Sequence, residues 1–296
     1  DITLLGGFQV VVNGTPVPER AWRQRRAAAV VKLLALAPGH YLHREQILET
    51  LWPDLDLEPA ANNLRVALHH ARRQLVAAGG DTAAGFLARE GEGLSLGPTD
   101  QVRVDLDQFE AAVAQVWRTE DFGRAGEALA LYSGDLLPDD PYEDWVADRR
   151  AVVLTSYVTL LSRQAAWFEA AGRLDQAIVA RQRQVAVEPL DEVARVQLIR
   201  LLAMSGRPRQ ALEQYEHLVA MLERELAAEP EPATLELGAA IREGRFAPAP
   251  EPATQPATQP PVSPAEPVPS APAPLRIARR LPAPVDELVG REREVA

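Results

Sequence analysis

The sequence has no cysteine and only one lysine, Lys32, in 296 residues. Without thiols there is no disulfide framework, no thiolate metal site and no thiol redox chemistry, and the chain reads as one for a reducing, cytosolic interior. With its single lysine inside an apolar run and no G-x-x-x-x-G-K-[ST] pattern, the sequence offers no phosphate-cradling loop. The longest apolar stretch, AAAVVKLLALA at 27–37, is broken by that lysine and falls short of the ~20 residues a bilayer span needs, so no membrane partner is expected. The opening segment, DITLLGGFQVVVNG, lacks a basic leader and a small-residue cleavage site; it reads as mature fold, and the missing Met suggests trimming.

What is present is enough chain for two domains and a tail. The formal net charge of −11 is unevenly spread. Residues 1–105 hold 11 basic against 12 acidic side chains, 106–246 hold 15 against 24, and 247–296 hold 5 against 6. The acidity therefore belongs to the middle. Four of the five histidines, His40, His43, His69 and His70, lie in the first third. Because charge is screened beyond ~10 Å at 0.1 M salt, a local basic face can act independently of the acidic bulk.

Along the chain, residues 2–18 alternate loosely around Asn13-Gly14 and predict short strands joined by a hairpin. Ala27, Val30, Leu34 and Ala37 recur at helical spacing over 24–37, and a second short helix is expected over 44–51, ended by Pro53. An acidic loop, PDLDLEPA, follows. The next segment, NNLRVALHHARRQL at 62–75, contains no carboxylate. At 100° per residue Leu64, Leu68, Ala71 and Leu75 form a buried stripe, while Asn62, Arg65, Val66, His69 and Arg73 cluster on the far side, with Asn63 and Arg72 at the margins. FLARE, GEG and LSLG then predict a second hairpin. Strands, three helices and a hairpin are the order of a winged helix.

At this point the sequence resembles a known family. AWRQRRAAAVVKLLAL, LHREQILETLWPD, ANNLRVALHHARRQL and GEGLSLGPTDQVRVDLDQFEAAV are similar to the OmpR-type winged-helix domain of Streptomyces antibiotic regulatory protein (SARP) family activators. YEDWVADRR, GRLDQAI and RLLAMSGRPRQALEQYEHLVAMLERELAAEPEPATLEL resemble that family's bacterial transcriptional activation domain. Leu94 departs from the family's wing, which commonly carries Tyr there. The resemblance implies a mainly α protein with a small β component: a winged helix over 1–103, then an all-α tetratricopeptide-like domain over 104–245. Residues 246–284, rich in proline, predict a disordered spacer. The last segment, 285–296, resembles the start of a nucleotide-hydrolase module, as in the N-terminal part of a longer regulator.

The second domain is also legible by itself. Gly172-Arg173 with Ala177 recurs as Gly206-Arg207 with Ala211, a 34-residue displacement that is the tetratricopeptide period. Ala165, Pro189 and Tyr215 fit the repeat, whereas Arg181 stands where an aromatic belongs and Glu223 where proline does. Such repeats bury their faces only by stacking, so helices near 107–117, 122–132, 142–170 and 232–243 are needed, about seven in all.

For 62–75 the bland reading is a solvated helix face. Its context and the family resemblance favour a DNA-reading helix, in which Arg can fork onto guanine, Asn onto adenine, and Val66 can touch a thymine methyl. Arg23, Arg25 and Arg26 open the first helix with three cations, unfavourable at a positive helix end unless an anion lies nearby: phosphate, or else a screened surface cluster. Arg89 in the wing either meets the duplex or is simply exposed. His69-His70 is a weak metal signal, since adjacent helical side chains diverge by about 100°. Trp145, Tyr157, Trp167 and Phe168 suit core packing. Asp139-Asp140 lacks a matching base or nucleophile, so neither an enzyme nor a cofactor is expected. The resemblance further implies promoter DNA with direct repeats, a dimer on that DNA, and RNA polymerase holoenzyme with its σ subunit as partner, met by Asp54, Asp56 and Glu58. The alternative is a protein-interaction adaptor without specific DNA binding.

Overall fold

The computed structural model describes residues 1–98 and 101–245. The Pro-rich segment expected at 246–284 and the module start at 285–296 lie outside the described residues. An antiparallel sheet of β1 (Ile2–Thr3), β2 (Gln9–Val12) and β3 (Thr15–Pro16) opens the chain. Asn13 (φ 51°) and Gly14 (φ 80°) make the two-residue turn that the Asn-Gly pair predicts. Three helices follow: α1 (Arg25–Leu36), α2 (Arg44–Leu51) and α3 (Leu57–Gly79). A second antiparallel sheet, in the order β4, β6, β5, joins β4 (Tyr41–His43) to the hairpin of β5 (Leu87–Glu90) and β6 (Gly93–Leu96). β4 has no signature of its own in the sequence. Three residues are too few to show alternation, and the strand exists because β6 offers it an edge.

α3 starts five residues before Asn62 and absorbs the end of the expected loop. Asp56 is extended (φ −61°, ψ 156°) at the cap position, and Glu58 puts a carboxylate in the first turn, where the helix dipole favours it. Pro59 is tolerated there because the first-turn N–H groups have no partner inside the helix. Ala60, Leu64, Ala67, Ala71 and Leu75 face inward, each at most 3% exposed, and Leu68 sits half-buried at the margin.

Seven α-helices make up the described remainder: α4 (Asp105–Thr119), α5 (Ala125–Leu131), α6 (Asp144–Ala170), α7 (Leu174–Val187), α8 (Glu192–Met204), α9 (Pro208–Met221) and α10 (Pro232–Arg242). The 34-residue recurrence has a backbone cause. Gly172 (φ 70°) and Gly206 (φ 75°) end α6 and α8 in the left-handed conformation. The following arginine amides bond back to Phe168 O (2.8 Å) and Leu202 O (2.9 Å), and the glycine amides to Glu169 O and Ala203 O. Each is a Schellman closure. Gly244-Arg245 repeats it after α10, with Arg245 N bonded to Ala240 O at 2.9 Å, a third copy that the 34-residue ruler misses because it lies 38 residues on.

Both departures from the repeat are explained locally. Arg181 occupies the slot that Tyr215 fills one repeat later, and both are buried. Its Nη1 donates to Ser162 Oγ (3.1 Å) and Gln184 Oε1 (2.6 Å), and Gln184 Nε2 donates to Asp191 Oδ2 (3.2 Å). Burial pushes the Arg181 guanidinium below its usual range, against the opposing pull of Glu169 and Asp191. Glu223, lacking proline's block, lets α9 run on through a π turn over 222–226 before Ala227 (φ 48°) stops it.

One hydrophobic core runs from Ile2 to Leu161 and a second from Phe168 to Ile241, so the first passes through residue 104 without a break. Leu5 pairs with Leu136, and Ile2 N bonds to Arg103 O at 2.7 Å. The Asp105 carboxylate accepts the amides of Leu4 (2.8 Å), Leu5 (3.0 Å) and Leu106 (2.8 Å). Burial raises its pKa, and those three bonds act in the lowering direction. Lys32, 7% exposed, places Nζ 2.5 Å from Asp140 Oδ2 and 4.7 Å above the Phe8 ring. His40 Nε2 meets Asp107 Oδ2 at 3.1 Å.

Candidate nucleic-acid interface

With its stripe of small and apolar residues packed inward, α3 turns the opposite face to solvent. Asn62, Val66, His69 and Arg73 are all exposed along one ridge, Val66 at 46%, and Asn63 and Arg65 flank it. Arg65 Nη1 donates to Asn62 Oδ1 (3.1 Å), one turn apart, which holds both polar heads at the start of the ridge. His70 turns half inward and meets the exposed His69 ring edge-on at 5.7 Å. Among the described residues, no group of three His, Cys, Asp or Glu side chains is placed to hold a metal ion.

Two arginines of the expected set are engaged by partners from other elements of the fold. Arg72 is half-buried and donates Nε to Leu87 O at 2.8 Å, so it fastens α3 to the first wing strand and points away from the ridge. Helical angle alone puts it at the ridge margin; the carbonyl that captures it comes from a strand 15 residues on. Arg26 meets Glu143 at 3.5 Å with its side chain 47% exposed. The anion expected at the start of α1 is thus supplied partly by the protein itself. Arg23 and Arg25 remain exposed beside it, with no acidic residue in the first turn of α1.

The structure adds one cation that sequence reading missed. Arg44, exposed at the first position of α2, faces a cleft of about 170 Å³ that it shares with Arg65 of α3 and Arg89 of β5, over a floor of Leu64, Leu68 and Leu94. Three arginines thus line one cleft where helix and wing meet, together with Glu92. The available signal was the basic pair His43-Arg44 at a helix start. Arg89 is exposed, its Nε donating to Gly91 O at 3.4 Å. Leu94, the departure in the wing, is 5% exposed in the middle strand, so the substitution lies in the sheet's buried layer.

Asp54, Asp56 and Glu58 are all exposed. They adjoin an apolar groove of about 430 Å³ lined by Leu48, Trp52, Leu55, Leu57 and Ala60, with Glu45 and Glu49 on its edge. Leu57 is 68% exposed. Sequence reading found the carboxylates and missed the groove, because Leu57 reads as loop until α3 is seen to begin there.

Residues 19–85 match the family described as "Transcriptional regulatory protein, C terminal", and residues 104–242 match "Bacterial transcriptional activator domain". The transcriptional regulatory protein MoaR1 of Mycobacterium tuberculosis is 26% identical over 245 residues, covering 77% of this chain and 75% of MoaR1. The transcriptional regulatory protein EmbR of the same organism is 26% identical over 239 residues, covering 78% of this chain but only 60% of EmbR. The solved structure of Mycobacterium tuberculosis EmbR in complex with a low affinity phosphopeptide shares the fold, with a TM-score of 0.60 at 23% identity. That match covers 82% of this chain and 65% of the EmbR chain.

Proposed function

From the SARP family of bacterial transcriptional regulators, to which this chain belongs, we propose a promoter-binding activator whose α3 ridge enters the major groove. In this reading, residues 1–103 form the DNA-binding part and 104–245 the activation part. The observation that carries it is the exposed, carboxylate-free ridge of Asn62, Val66, His69 and Arg73 over a fully buried underside. A helix of that width, polar outside and close-packed beneath, fits a groove about 12 Å wide, and its side chains match the donor and acceptor pattern of base edges.

Arg23 and Arg25 on one flank, and Arg44, Arg65 and Arg89 on the other, are the phosphate contacts that fix register. Arg72 supports the wing and Arg26 the joint to the helical part. The acidic loop at 54–58 and its apolar groove form the contact to RNA polymerase with its σ subunit, and two copies occupy adjacent direct repeats. The net charge of −9 over 106–246 repels phosphate, so only the basic face can approach the duplex.

A gel-shift titration tests this on a duplex enriched by the wild-type chain from a random library. Arg73→Ala is expected to weaken binding by about 1–3 kcal/mol, and R73A binding as tightly as wild type would remove α3 from the groove. With about five phosphates neutralised, log K should fall with log salt at a slope of about −4 to −5. Affinity that stays flat with salt would favour a protein-binding adaptor.

A further inference from the structure

The acidic helical part carries a cationic, aromatic surface that the proposed function leaves unused. At the end of α4, Trp117 is 39% exposed, meets Phe122 edge-on at 5.2 Å, and lies 5.8 Å beneath the guanidinium of Arg163 from α6. Trp167, one turn further along α6, packs so tightly on Gly123 that a Cβ there would lie 2.7 Å from its ring, and Arg173 caps it at 5.5 Å. Among the described residues, neither Arg163 nor Arg173 makes an ion pair. Arg118, which donates Nη2 to Gln115 Oε1, and Arg124, 3.8 Å from Asp121, follow Trp117 and Gly123 in the chain, with Glu120 and Asp121 between them.

A matching element is found elsewhere on the same chain. In the loop PDDPYED, residues 138–144, Tyr142 is 94% exposed, flanked by exposed Asp139 and Asp144. The loop is fixed in place. Arg150 donates to the carbonyls of Leu136, Leu137 and Asp140, Asp140 is held by Lys32, and Glu143 accepts Trp145 Nε1 at 2.7 Å. A pinned loop that projects a whole tyrosine into solvent loses little entropy on docking, and Tyr is enriched among residues that dominate interfaces. The two surfaces cannot meet within one molecule. They lie near Asp144 and Arg163, 19 residues apart on the single helix α6, which is about 28 Å at 1.5 Å per residue.

We propose that the Trp117–Arg163 patch of one copy receives the Tyr142 loop of a second copy. The tyrosine ring packs beside Trp117 and against the outer side of the Arg163 guanidinium, and Asp139 and Asp144 approach the bordering arginines. Such a contact is head-to-tail: each copy keeps one free patch and one free loop, and the roughly 28 Å between them along α6 is of the same order as the ~34 Å of a DNA helical turn. The inference rests on the reading that copies sit side by side on promoter DNA, and it names the surfaces that join them.

The test uses the full chain on duplexes carrying one or two copies of the sequence it enriches from a random library, the two copies one helical turn apart. Tyr142→Ala and, separately, Arg163→Glu should match wild type on the one-copy duplex and lose about tenfold in cooperativity on the two-copy duplex. An equal mixture of the two variants should regain part of it, because the R163E loop still fits the Y142A patch. Unchanged cooperativity in Y142A overturns the contact. If the wild-type chain fails to bind even one copy, the DNA reading falls, and sedimentation velocity at 0.15 M salt decides the contact. Wild type should then associate with rising concentration and Y142A should not, and equal behaviour of the two overturns the proposal.

Discussion

Arg72 and Arg73 are neighbours in sequence and part ways in the structure, which a substitution pair can separate. Arg72→Ala removes the hydrogen bond to Leu87 O, so it should cost about 1 kcal/mol of stability and speed amide exchange in β5 and β6. Arg73→Ala removes an exposed side chain and should leave thermal unfolding within about 0.5 kcal/mol of wild type while weakening DNA binding. Hydrogen exchange and thermal melts on both variants check this, and R72A with an unaltered wing would show that the bond contributes nothing. At this scale sequence reading succeeds when a residue's fate is set by its own helix. Asn62, Val66, His69 and Arg73 face outward because Leu64, Ala71 and Leu75 face inward, a matter of 100° steps. It fails where the partner comes from afar, as for Arg26, whose Glu143 is 117 residues away.

The helices of the second half show how a period in sequence becomes a backbone event. The Gly-Arg recurrence was legible because a left-handed residue is needed where α6 and α8 end, and glycine adopts it without the strain a Cβ brings. Gly206→Ala is therefore expected to destabilise the chain by about 1 kcal/mol, seen as a lower urea midpoint with an unchanged slope. The closure after α10 escaped notice because the π turn over 222–226 and the prolines at 230 and 232 stretch the spacing to 38 residues. β4 escaped for a different reason. A three-residue strand has too few positions to declare a period, and its partner β6 lies about 50 residues on. The early start of α3 is the third case, where a proline read as loop is harmless inside a first turn.

For the molecule as a whole, the joint at residue 104 matters most. Composition changes there, and charge counting makes the acidic part look like a separate body, yet Ile2, Leu4 and Leu5 are covered by Val104, Leu106 and Leu136 in one core. Such continuity cannot be read from periodicity, which reports that a face is buried and not what buries it. A fragment of residues 1–103 should melt at lower temperature and with less cooperativity than 1–245, because it exposes that apolar surface and strips the Leu4 and Leu5 amides of Asp105. Calorimetry of the two pieces gives the answer, and equal melting would show that the shared core adds nothing. Lys32 sits at the same joint, wedged between Phe8 and Asp140, and no other residue of the chain carries an ε-amino group. Acylating dyes and amine crosslinkers will therefore find no side chain to react with on the folded protein. Labelling at that one nitrogen becomes a count of molecules whose two parts have come apart.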